Sequence, residues 1–246
     1  DFISWDEIEE RIEQATALLN STGLQFDKTF PLKCLLVVHG RGAETSAEKF
    51  NGADGDDLIN DMKNHWSRAE NAFRELHDFI AGELKIYKDT IVRSYTSFIP
   101  IFDYLYYNSK PDPINRTRMR GYYYKAQLFG WYSRNTDGIV NALHSIVGRP
   151  LSIGFPLVDI KGYFLGRKYR AELEKPQLTE AGLRYILLNI VYVARMGTSP
   201  FIFKSNGNLP HIDHIYPRHA SQTRLGLQSW EVNHIGNYRF VGATDN

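Results

Sequence analysis

The stretch "HIDHIYPRH", residues 211 to 219, sets an aspartate beside a histidine, Asp213 and His214, just ahead of Pro217. Downstream stand Asn237, in "IGNYRF", and Asn246, in "ATDN". Hydrolysis of a phosphodiester needs a base to take a proton from water. It also needs a divalent cation, held by hard oxygen ligands, to stabilise the pentacovalent phosphorus and the departing oxyanion. Histidine suits the base because its ordinary titration range spans working pH. Aspartate and asparagine suit the cation, as one charge plus one neutral oxygen. His214, Asp213 and Asn246 supply that set, and the amide of Asn237 could pin the loop that carries the base.

One geometric requirement follows. Neighbouring residues on a regular strand point to opposite faces. Asp213 and His214 therefore serve one site only if the strand ends or kinks there, as Pro217 permits, or if the cation lies at the strand edge. The other histidines carry less. His211, His219 and His234 could join His214 around zinc, but they offer a single H-x-x-H spacing and no cysteine partner. His211 lies on the Asp213 side, within reach of a phosphate or simply solvated. Arg218 and Arg239 could grip DNA phosphates, or could be plain exposed residues.

These residues must be positioned by short elements. "HIDHIYP" reads as a strand closed by Pro217, "HIGNYRFVG" as a second strand entered through Gly236, and "ATDN" as a helix start, which together outline a ββα unit. Upstream the texture is helical. Ser4 and Glu7 have capping-box spacing, Ile8, Ile12, Ala15, Leu18 and Leu19 follow at helical steps, and Gly23 supplies a stop. "PLKCLLVVHG" is apolar enough for a buried helix or a strand, and its helical neighbours favour helix. Residues 40–57 are rich in Gly, Asp and Ala and read as a loop. Within them "NGADGDD" lacks the alternation and closing Glu of a calcium loop, so it reads as a solvated turn.

A long helix is expected from Leu58 to about Tyr87, with Met62, Trp66, Ala69, Phe73, Leu76, Ile80 and Leu84 as its apolar stripe and His65 and His77 outside the core. Another covers roughly 91–107, with a break or kink at Pro100. After the turn "NSKPDP" comes a block in which Arg116, Arg118, Arg120, Lys125 and Arg134 interleave with Tyr122, Tyr123, Tyr124, Trp131 and Tyr132. Such a mixture can neutralise phosphates and stack on unpaired bases. It can equally be a helix with core aromatics and solvated or paired cations. A Pro/Gly-punctuated connector, residues 147–177, precedes the last clear helix. Thr179 is its expected N-cap, Leu183, Ile186, Leu187, Ile190, Val191 and Ala194 its buried side, and Gly197 its end.

The bulk numbers bound the class. With 246 residues, 43% hydrophobic and 23% charged, the chain is ordinary for one large globular domain or two smaller ones. A net charge of +1 means that any polyanion must bind a local patch. The single cysteine, Cys34, excludes an intrachain disulfide and a multi-cysteine zinc site, and fits a reducing cytoplasm. No apolar run reaches the roughly 18–20 residues of a membrane span. The opening "DFISWDEIEE" has no initiator Met and no signal-peptide pattern, so the chain reads as a piece of a longer protein.

The ordered set "IDHIYP … IGNYRFVGATDN" resembles an HNH (ββα-metal) nuclease motif: D-H-I-x-P, a central Asn, and a further Asn nine positions on. The wording "HIDHIYPRHA … VNHIGNYRFV" is similar to the C-terminal part of GmrSD-type restriction endonucleases, whose helical middle region the block "RMRGYYYKAQLFGWYSR" also resembles. The motif occupies about residues 208–246. The N-terminal NTPase domain of that family carries a D-G-Q-Q-R motif, and none occurs in this chain.

The resemblance implies His214 as general base, Asp213 and Asn246 as ligands of Mg²⁺ or Mn²⁺, and Asn237 as the central catalytic-loop Asn. It further implies DNA as substrate, modified phage DNA included, with an NTPase domain of the same protein as partner and restriction or phage defence as the setting. The expected fold class is mainly α, with a helical domain over 1–203 followed by a small ββα-metal module over 204–246 that stops at Asn246. The alternative is a non-catalytic helical interaction, sensor or nucleic-acid-binding domain carrying a degenerate HNH appendage.

Overall fold

The computed structural model describes residues 5–87, 91–150, 153–174, 178–198 and 211–241. Within them the chain is mainly α-helical, with one two-stranded antiparallel sheet near the C-terminus, as the sequence leads one to expect. It folds as two compact units, Asp1–Leu84 with Arg93–Ala171, and Lys85–Val92 with Glu172–Asn246. The anticipated domain boundary at 203/204, the Ser4 cap and the "ATDN" helix start all lie outside the described residues.

The first unit opens with α1 (Trp5–Asn20), which buries Ile8, Ile12, Ala15 and Leu19 and ends ahead of Gly23 at φ +94°. The apolar run that follows is helical, α2 (Thr29–Val38), with Cys34, Leu35, Leu36 and Val37 buried. Two expectations change next. "NGADGDD" is no loop: α3 (Gly52–Asn64) begins inside it, with Asn51 extended at the N-cap and Asp54 in the first turn, where a negative charge complements the helix dipole. The long helix expected from Leu58 is divided at His65 (φ −106°, ψ 9°), so that α4 (Trp66–Asp78) is separate and a π-turn over Phe79–Leu84 follows. The apolar stripe nevertheless holds, and all seven of its residues are buried. It passes through the break because Met62 and Trp66, on either side, face the same core.

The helix expected over roughly 91–107 is α-helical only from Ile99, after a 3-10 turn over Tyr95–Phe98, and Pro100 marks its start instead of a kink. The proline sits in the first turn of α5 (Ile99–Tyr107), where its missing N–H has no helical partner to lose. α5 is the centre of this unit, packed against α2, α4 and a later helix, α7 (Thr136–Val147). Between them, α6 (Pro113–Phe129) is fixed at both ends: the Asp112 carboxylate accepts from Asn115 N at 2.7 Å, and Gly130 takes the left-handed conformation at φ +60°. The supposed connector contains another helix, α8 (Leu157–Gly166), which buries Ile160 and Phe164. Its Gly162 and Gly166 read as loop punctuation in the sequence.

The aromatic block of α6 and the turn after it is mostly core, with Tyr124 half-buried. Tyr122, Tyr123, Trp131 and Tyr132 are all buried. Trp131 stacks on Phe164 (4.1 Å between ring centroids, 15° interplanar) and donates to Arg170 O at 2.7 Å. Tyr122 donates to Ser97 O and shares a hydroxyl–hydroxyl hydrogen bond with Tyr132. Buried Gln127 accepts from Arg93 N and Ser94 N while donating to Ser94 O and Ser97 Oγ, which ties the segment ahead of α5 to α6. These rings are committed to packing and are not available for stacking on bases.

The second unit contains α9 (Arg184–Met196), entered through a 3-10 turn over Ala181–Leu183 and closed by Gly197 at φ +65°. Leu183, Ile186 and Leu187 are buried as expected, and so are Leu188 and Asn189. Val191, at 47% exposed, and Ala194 are not. Full burial is confined to the first half of the helix, and Ile190, Tyr192 and Val193 beyond it are half-buried. Two strands follow, β1 (His211–His214) and β2 (Tyr238–Val241), antiparallel with His211 opposite Val241 and His214 opposite Tyr238. They are joined through α10 (Arg218–Arg224), α11 (Ser229–Val232) and a 3-10 turn over Ile235–Asn237. Aromatic side chains of α9 cover β2: Tyr185 and Tyr192 lie 5.9 and 5.4 Å from Phe240, and Phe240 N donates to the Tyr192 hydroxyl.

Candidate active site

His214 is the last residue of β1 and is half-buried. In an antiparallel pair, residues directly opposite share a face. Its imidazole accordingly packs on the ring of Tyr238, 4.5 Å between centroids, and its Nε2 lies 3.4 Å from Asn233 Oδ1. Tyr238 is held in turn: its hydroxyl donates to Asn233 Oδ1 at 2.9 Å, and the Arg184 guanidinium lies 4.4 Å from its ring centroid. Asp213, opposite Arg239, faces the other side of the hairpin, with 3.7 Å between its carboxylate and that guanidinium. The ladder is thus regular through His214, and the chain bends only after it. β1 ends at His214 with Asp213 and His214 on opposite sides of the hairpin, so a centre shared by the pair would lie at that end and edge of the strand.

Asn237 clamps the bend. Its Oδ1 accepts from Tyr216 N at 2.9 Å, and its Nδ2 donates to Tyr216 O at 3.2 Å and Val232 O at 2.9 Å. Its own carbonyl accepts from Ile215 N at 2.8 Å. Three of these four hydrogen bonds hold Ile215 and Tyr216, the two positions after His214, and the fourth ties Asn237 to Val232. Replacing Asn237 with alanine removes its side-chain hydrogen bonds to Tyr216 and Val232 and is expected to cost about 0.5–1.5 kcal/mol for each, read as faster hydrogen exchange at the Tyr216 amide.

Asp213 offers a carboxylate 44% exposed at the strand edge. Ions such as Mg²⁺ take one or two carboxylates plus phosphate oxygens and water in preference to a full protein cage, and Asp213 fits that chemistry. Asn246, the second expected ligand, lies outside the described residues. Among the described residues no three His, Cys, Asp or Glu side chains converge on one point. His234 is occupied as a turn cap, its Nδ1 accepting from Gly236 N.

The basic candidates divide. Arg218, at the start of α10, and Arg239 are exposed. The four cations of α6 are tied to their own unit. Arg116 donates to Pro111 O and lies 3.7 Å from Glu83, and Arg120 lies 3.4 Å from the same carboxylate. Arg118 donates to Ile153 O and Lys125 to Ala171 O. Three residues of the site were not foreseen: Asn233, Tyr238 and Arg184. Tyr238 could have been found by pairing the strands, since the register that sets His214 at the end of β1 puts Tyr238 opposite it.

No protein-family model matches the chain, and no curated protein is similar to it in sequence. No helix among the described residues is long and apolar enough to cross a membrane.

Proposed function

We propose that this protein is a metal-dependent DNA endonuclease of the HNH type, acting in the cytoplasm in restriction or phage defence, on DNA that includes modified phage DNA. The supporting observation is the mounting of His214: a histidine at the end of a strand, its following loop clamped by Asn237, with a half-exposed carboxylate next to it in sequence. That is the arrangement that activation of water beside a phosphodiester calls for.

In this reading His214 takes the proton from the attacking water. Asn237 keeps the bend rigid, so the imidazole is aimed without reorganisation at the moment of reaction. Asp213, with Asn246, would hold Mg²⁺ or Mn²⁺, which when bound supplies charge stabilisation at the scissile phosphate. Arg239 beside Asp213, together with Arg218, attracts the flanking backbone phosphates. An NTPase domain of the same protein is the proposed partner that licenses cleavage.

The test is incubation of supercoiled plasmid with the protein in Mg²⁺ or Mn²⁺ and, separately, in EDTA. Relaxed circles only in the metal-containing reactions are expected. Equal relaxation in EDTA would remove the metal from the mechanism, and no relaxation in any reaction would favour a non-catalytic helical protein.

A further inference from the structure

We propose that Asn233 is a positioning residue that holds neutral His214 as the tautomer with its proton on Nε2, so that Nδ1 is the atom that accepts a proton. The role in catalysis rests on His214 being the base, whereas the tautomer itself follows from hydrogen-bond geometry alone.

Asn233 caps the C-terminus of α11, and its amide orientation is fixed from the side away from His214. Its Nδ2 donates to Ser229 O at 2.8 Å and lies 3.2 Å from Ser229 Oγ. A backbone carbonyl can only accept, so the Asn233 atom facing it must be the NH₂ group. Flipping the amide would set two carbonyl oxygens against each other. Oδ1 therefore faces Tyr238 and His214 and accepts from both, from the Tyr238 hydroxyl at 2.9 Å and from His214 Nε2 at 3.4 Å. An amide oxygen has two lone pairs and no proton, so the proton on the histidine side belongs to Nε2. The Tyr238 ring against the imidazole resists rotation that would exchange the two nitrogens.

The proton balance is then simple. Water gives its proton to Nδ1, and His214 becomes an imidazolium that keeps its Nε2–H bond to Asn233. The hydroxide oxygen bonds to phosphorus as the bond to the leaving oxygen breaks, and that oxygen takes a proton from solvent. Nothing has to move on the Nε2 side, which is the advantage of setting the tautomer before the substrate arrives.

The experiment is heteronuclear NMR of the full chain with ¹⁵N-labelled histidine, alongside plasmid nicking in Mn²⁺. The His214 signals are assigned by their absence from His214→Gln. Wild type is expected to show Nε2 protonated and Nδ1 bare when neutral. Asn233→Ala is expected to lose that preference and to nick roughly 10- to 100-fold more slowly. Tyr238→Phe, which frees a lone pair on Oδ1 while leaving Asn233 in place, is expected to keep the tautomer. A wild-type imidazole protonated on Nδ1 overturns the proposal, as does Asn233→Ala with tautomer and rate unchanged. Wild type with the Nε2–H signal and no nicking counts against the nuclease reading, while the tautomer assignment stands on its spectrum.

Discussion

Changing His214 to alanine is expected to slow metal-dependent nicking of DNA by about 10²–10⁴-fold, the contribution of a positioned general base. The loss should be chemical and not structural. The imidazole is half-buried, and the backbone around it is held by β1–β2 pairing and by Asn237, neither of which uses the His214 side chain. Far-UV circular dichroism of the variant should therefore match wild type. Free imidazole should restore part of the rate, because the vacated space against Tyr238 lets a small base stand where the side chain stood. Loss of rate together with loss of folding would instead make His214 a packing residue.

The second large effect concerns stability. His144, on α7, lies with Nδ1 2.8 Å from Asp103 Oδ2, on the central helix α5. Asp103 is 1% exposed and His144 26%. The hydrogen bond to Asp103 raises the His144 pKa above the ordinary histidine value. A histidine whose folded pKa is raised stabilises fully below its unfolded pKa, and that stabilisation is lost as pH rises through the folded value. Urea titrations should show the first unit weakening as pH rises from about 6.5 upward. Burial raises the Asp103 pKa and His144 works against that rise. Removing His144 therefore leaves a buried carboxyl that takes up a proton and lacks its hydrogen-bond partner, which should cost about 1–3 kcal/mol. Asp103→Asn should cost less, because His144 is partly exposed and can stay neutral.

Elements with a strong period were legible in the sequence. The stripe from Met62 to Leu84 and the Ile8–Leu19 face were readable because one helix period is enough to define a buried side. Breaks were less so. The division at His65 leaves the stripe intact, so periodicity could not reveal it. α8 was hidden by Gly162 and Gly166, which look like punctuation yet sit on exposed helical positions. The start of α3 was hidden because Asn51 and Asp54 suit a turn and a helix N-terminus equally well.

The same division runs through the site. Asp213, His214 and Asn237 stand out by type and spacing, and Asn237 pins the loop beside His214 as its amide suggested. Asn233 carried no such signal. It acquires meaning only when β2 brings Tyr238 opposite His214 and α11 turns the amide toward both. The Asp103–His144 pair was beyond reach for a related reason, since the two residues belong to separate helices and meet only through packing.

The central claim is that His214 activates water for phosphodiester hydrolysis. Its most direct test is the rate of supercoiled-plasmid nicking in Mn²⁺ by wild type and by His214→Ala, each checked for folding. Nicking by wild type that the variant lacks is the expected result. Equal rates for two folded proteins would contradict the claim.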